Sequence, residues 1–249
     1  MPYHLKTAAY FKQHFDEVLK LLPVVLEVQS ETAIHQMRVE IKKLHALVKL
    51  LDKTEPKSDI KEKFIPVRRL FKRMGAIREI QLEINKLKDL SSDNLQEIPS
   101  LNEKLEKRKS KISRPSEKWE KQIQSSFQEF IHFDFSLKIK LLQDYFRKLM
   151  ITANNLMLQE NFHEARKNIK SVLYLKALLR EPEQESMGID FSYLNELQEK
   201  IGNWNDLLNS SLRKTQKKEN LVLETNFQEL HDLLKKEAQY FLNLAYPKS

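Results

Sequence analysis

A chain of 249 residues, 41% hydrophobic and 31% charged, has enough apolar surface to bury a core, is too apolar for general disorder and carries too many charges for a membrane protein. The absence of cysteine excludes disulfides, iron–sulfur clusters, zinc–thiolate sites and thiol nucleophiles. Residues 1–130 carry 26 Lys and Arg against 19 Asp and Glu, whereas residues 131–249 carry 17 against 16, so the net charge of +8 is concentrated in the first half and suits a polyanionic partner.

With three glycines and eight prolines the chain has little turn chemistry for hairpins or phosphate-cradling loops, and long helices are expected. Apolar spacing predicts helices over 3–27 and 31–53, the second starting near Ser30 or Glu31, followed by a break at TEPKSD. Residues 61–88 read as helix, interrupted or re-aimed at Pro66 and Gly75, and SSDNLQEIPS reads as a polar loop. A long helix over 101–130 carries one flaw, a kink or short break at Arg114–Pro115. The second half repeats the plan: helices over 137–159 and 161–180, a loop EPEQESMG, a helix pair flanking Gly202, and a last helix over 219–244. No stretch approaches the ~18 uninterrupted apolar residues of a membrane span, and the N-terminus lacks the apolar core of a secretory signal. A cytoplasmic protein without membrane contact is therefore expected.

The pattern that carries chemistry begins at His35. On a helix, His35, Arg38, Lys42, His45 and Lys49 fall within about 80° of one another. An apolar seam of Ile34, Met37, Ile41, Leu44, Val48 and Leu51 lies on one side of this stripe and Val39, Ala46 and Leu50 on the other, which suggests cations walled into a groove rather than set on a solvated face. The motif returns 128 residues later as His163, Arg166 and Lys170, with Tyr174 in place of Ala46. A second marker, Gly75-Ala-Ile-Arg78-Glu79, returns 127 residues later as Gly202-Asn-Trp-Asn205-Asp206. Two markers at nearly one offset point to internal duplication of an all-α unit. The run VRRLFKRMGAIRE adds Arg68, Arg69, Lys72 and Arg73 at helical neighbour spacings, where like charges destabilise a helix unless an anion or carboxylates neutralise them. Arginine offers a planar fork to phosphate oxygens, lysine a mobile charge and histidine a ring N–H. A row of such groups matches an extended anion. Tyr10, Phe11, Phe15, Phe127 and Phe130 are expected in the core, and no Walker loop, zinc-protease helix, nucleophile elbow or dense carboxylate cluster is present. Neither a metal nor a cofactor is expected.

These residues resemble the CHAD family, the conserved histidine α-helical domain. His35, Arg38, Lys42, Lys43 and His45 fall where the family shows His, Arg, two Arg and another Arg, and the Gly75 and Gly202 segments resemble its G-x-x-R-D and G-x-x-N-D turns. Ser171 and Leu173 depart from it, standing at usually basic positions. The resemblance implies two tandem four-helix bundles about a pseudo-twofold, 1–132 and 133–249, together forming one domain. It also implies non-catalytic binding of inorganic polyphosphate in a central basic groove. Many relatives join this domain to a triphosphate-processing tunnel domain of the CYTH type, for which no residues remain here, so a stand-alone binding module is expected, in the cytoplasm or on polyphosphate granules. Nucleic-acid binding and docking of an acidic protein partner are the rival readings.

Overall fold

The computed structural model describes residues 6–54, 59–89, 96–131, 137–211 and 217–247, without the side chains of 89, 210–211 and 217–223. These residues are almost wholly helical and fall into two compact units. One holds α1 (Thr7–Glu27), α2 (Glu31–Thr54), α3 (Ile60–Lys63), α4 (Ile65–Asp89), α5 (Ile98–Ser113) and α6 (Ser116–Ile131). The other holds α7 (Ile139–Leu158), α8 (Phe162–Leu175), α9 (Glu181–Ser186), α10 (Phe191–Ser211) and α11 (Lys217–Ala245). In the first, α1 packs on α2, α2 on α4, α4 on α5 and α6, and these back on α1. In the second, α7 packs on α8, α8 on α10, α10 on α11, and α11 back on α7. Each unit is thus a closed four-sided bundle, one wall of the first being divided between α5 and α6. The expected boundary at 132/133, residues 55–58 of the TEPKSD break and residues 91–95 of the polar loop lie outside the described residues.

The seam read from the sequence is the core: Ile34, Met37, Ile41, Leu44, Val48 and Leu51 of α2 are all buried, as are Phe162, Ala165, Ile169 and Val172 of α8. Phe11, Phe15 and Phe130 join them, with Phe11 stacked on Phe130 at 4.6 Å between ring centres. Ser30 caps α2, its Oγ accepting from the Ala33 backbone N–H at 3.1 Å. Asp190 caps α10 in the same way, through the Tyr193 N–H at 2.9 Å. The long wall breaks at Arg114–Pro115 as expected, since proline removes a helix hydrogen bond and crowds the preceding turn.

Three expectations are corrected. The chain breaks at Phe64, between α3 and α4, leaving Pro66 in the first turn of α4, where a missing N–H costs nothing. Helices α4 and α10 run unbroken through Gly75 and Gly202, so neither glycine is a turn. EPEQESMG contains α9, started by Glu183 reaching back to accept from the Arg180 backbone N–H at 2.8 Å. No helix among the described residues is long and apolar enough to cross a membrane.

Candidate functional site

Glycine inside a helix costs about 1 kcal/mol relative to alanine, so two buried mid-helix glycines in a chain of three require a reason. The reason sits on the neighbouring helix. A Cβ at Gly75 would lie 2.8 Å from Arg38 Nη1, and one at Gly202 would lie 2.7 Å from Arg166 Nη2. Arg38 of α2 lays its guanidinium on the bare backbone of α4, donating from Nη1 to the Phe71 carbonyl at 2.7 Å and resting 4.2 Å above the Phe71 ring. Arg166 of α8 does the same on α10, donating from Nε to the Gln198 carbonyl at 2.7 Å. In both bundles the accepting carbonyl is four residues before the glycine. The sequence markers His-x-x-Arg and Gly are therefore two halves of one local device, an arginine seated on a glycine.

Beyond Arg38 the stripe continues along α2. Lys42 and Lys49 are exposed, and His45 is half-buried with its ring stacked over Phe64 at 6.0 Å between centres. Ala46 and Leu50, on the far side of the stripe, are as buried as the seam. The third residue read on that side, Val39, is half-buried. Lys49 of α2 and Arg68 of α4 both lie near enough to His45 to act on its imidazole. Helical geometry sets Lys72 four residues further along the same edge.

Other predicted residues go elsewhere. Lys43 pairs with Glu40 at 2.8 Å, and the same carboxylate meets Nδ1 of buried His14 of α1 at 2.5 Å. Arg73 lies 5.6 Å from the centre of the Trp119 ring on α6, and Arg69, four residues before it, shares that side of α4. The ends of the VRRLFKR run thus divide, Arg68 acting on His45 of α2 and Arg73 lying against Trp119 of α6, with Lys72 a helical neighbour of both Arg68 and Arg69. Arg78 is ion-paired with Glu31 of α2. In the second bundle His163 is exposed and Lys170 is half-buried, its Nζ 5.8 Å from the Tyr174 ring centre. Burial, with Arg166 nearby, makes the charged form of Lys170 less favourable, and Glu199 of α10 offsets this. Where the first bundle sets Arg68 and Lys72 beside its stripe, the second sets Asn195, hydrogen-bonded at 3.2 Å to Glu199. Trp119 and Trp204, both largely buried, belong to the packing.

Sequence reasoning missed Glu31, Asn85 and the carbonyls of Phe71 and Gln198. Glu31 stands four residues before His35, one turn back on the same face, and Asn85 stands seven after Arg78; both spacings were visible, but polar residues at helix spacing are too common to single them out.

The imidazole of His45 is held down to a pKa of about 4, first by burial and then by Lys49 and Arg68. It stays neutral across the physiological range in the unliganded protein. In the unfolded chain the same ring titrates near the ordinary histidine value of about 6.5. Between these values the unfolded state holds a proton that the folded state lacks, so the contribution of His45 to stability is complete above pH ~6.5 and is lost as pH falls towards ~4. Urea unfolding at pH 7, 5.5 and 4.5 is expected to lose stability more steeply in the natural chain than in His45→Gln; identical pH profiles would show that His45 titrates normally in the fold.

Among the described residues no group of three or more His, Asp and Glu is arranged to hold a metal ion. The CHAD domain family matches residues 9–212. A solved structure, the crystal structure of the CHAD domain from the plant Ricinus communis, superposes with a TM-score of 0.63 over 96% of this chain and 92% of that one, at 15% identity. No curated protein matches. The family match, which spans most of the chain, places it in the CHAD domain family, and its fold is shared with the Ricinus communis structure.

Proposed function

We propose that the chain binds inorganic polyphosphate along the α2–α4 edge of its first bundle, through His35, Lys42, His45, Lys49, Arg68, Lys72 and the outward nitrogens of Arg38 and Arg78. The corresponding edge of the second bundle, with His163, Arg166 and Lys170, contributes less. The chain acts as a binding module and does no chemistry on the polymer. Association with polyphosphate granules in the cytoplasm is the setting this reading favours.

The observation that carries it is the row of cations itself. From His35 to Lys49 the stripe follows about 21 Å of helix, and the two charged groups acting on His45 are both cations, Lys49 of the same helix and Arg68 of α4. Like charges gathered along one edge repel one another, and an anion with a charge on every repeating unit relieves that repulsion over the whole length. Arginine held in one orientation on a glycine also loses less rotamer freedom on meeting a phosphate oxygen than a loose side chain does.

Binding of this kind releases counterions and weakens steeply with salt. A strip engaging about six phosphates loses about 10³-fold in affinity between 50 and 200 mM salt. Reversing Arg68 alone to Glu is expected to flatten that dependence by about one contact or more, whereas Lys170→Glu flattens it by less than one. Fluorescence titration of labelled polyphosphate over this salt range measures both. Equal losses in the two bundles would contradict the assignment to the first, and displacement by RNA at equal phosphate concentration would favour nucleic acid as the ligand.

A further inference from the structure

Arg78, at one end of the proposed strip, is held by a carboxylate. Nη1 of Arg78 donates to a carboxylate oxygen of Glu31, and Asn85 Nδ2 donates to both oxygens of that carboxylate at 3.0 and 3.2 Å. The pair joins α2 to α4 at the end of the strip where Arg38 lies, close enough that Arg78 and Glu79 both act on the Arg38 guanidinium. The partners are unequally covered: the Arg78 side chain is 21% exposed and that of Glu31 is 40% exposed. The cation is fixed in the bundle, while the carboxylate sits on the first turn of α2 within reach of solvent.

We propose that Glu31 is an internal anion that occupies the Arg78 end of the strip in the unliganded protein and yields to a phosphate of the incoming chain. The inference rests on the polyphosphate reading. A carboxylate and a phosphate oxygen accept from a guanidinium in the same way, so they compete for Arg78. A single free phosphate has little advantage over a carboxylate already in place. A phosphate tethered to others bound along α2 arrives at high effective concentration and displaces it. Glu31 is therefore a specificity-determining residue, raising the threshold that a short or weakly charged anion must exceed.

The test is calorimetric titration of long-chain sodium polyphosphate, at one salt concentration, into the natural chain, Glu31→Gln, Arg78→Gln and the double variant. Glu31→Gln is expected to bind about three- to fivefold more tightly, the scale of a partly exposed ion pair. That gain should vanish in the Arg78→Gln background; a gain that persists there reflects net charge alone and overturns the proposal. Asn85→Ala, which loosens the carboxylate without changing any charge, should shift affinity in the same direction by a smaller factor. Binding by the natural chain with weaker or unchanged binding by Glu31→Gln would make Glu31 a support for Arg78 and sink this inference while leaving the polyphosphate reading intact. No binding by either protein would sink both.

Discussion

Replacing Gly75 by Ala is expected to destabilise the first bundle in the natural chain and to stabilise it once Arg38 has been replaced by Ala. Alanine in a helix interior normally gains about 1 kcal/mol over glycine. Here the added methyl group meets Arg38 Nη1 at 2.8 Å, and the guanidinium tip must shift. The shift comes at the expense of its hydrogen bond to the Phe71 carbonyl and its contact with the Phe71 ring. A hydrogen bond to a charged group contributes about 1.5–3 kcal/mol, more than the gain in helix propensity, so the net effect is a loss of about 1 kcal/mol. With Arg38 already removed nothing stands in the way, and the usual gain of about 1 kcal/mol returns.

The same reversal is expected for Gly202 in the natural and Arg166→Ala backgrounds, where the contact is 2.7 Å. Urea unfolding of the four proteins in each set gives a coupling of about 2 kcal/mol between arginine and glycine. A Gly75→Ala effect of one sign in both backgrounds would show that the glycine serves something other than the guanidinium.

Much of the fold was legible because helix periodicity and buried seams are local properties. The pattern from Ile34 to Leu51 names both the core face of α2 and the edge that carries cations, and no long-range information is needed to read it. The glycines were misread for the complementary reason. Within its own segment a helical glycine looks like a break, and what justifies Gly75 is the tip of a side chain 37 residues earlier, at Arg38. The repeat offset did record that relationship, since arginine and glycine recur together in the second half. The basic run from Arg68 to Arg73 was read as one cluster because Lys72 is a helical neighbour of both Arg68 and Arg69; what divides its ends is tertiary, Arg68 acting on His45 of α2 and Arg73 meeting Trp119 of α6. The pairing of Lys43 with Glu40 follows from a three-residue spacing within α2, whereas the contact of that carboxylate with His14 depends on α1 arriving on the same face.

Affinity is expected to rise steeply with the length of the phosphate chain. On the proposed reading each cation along α2 and α4 would form a weak, solvent-screened contact with one phosphate, and a strip about 21 Å long far exceeds what three phosphates can cover. Once one unit is held, its neighbours are delivered to the next cations at high effective concentration, and linked weak contacts commonly gain 10²–10⁴-fold over single ones, as an order of magnitude. A single deep pocket behaves differently, saturating with the few units that fit it. Isothermal titration of the natural chain at one pH and salt concentration, with triphosphate and with polyphosphate of about a hundred units, separates the two cases. A dissociation constant per molecule at least about 100-fold lower for the long chain is the predicted result; equal constants for the two would contradict the extended strip.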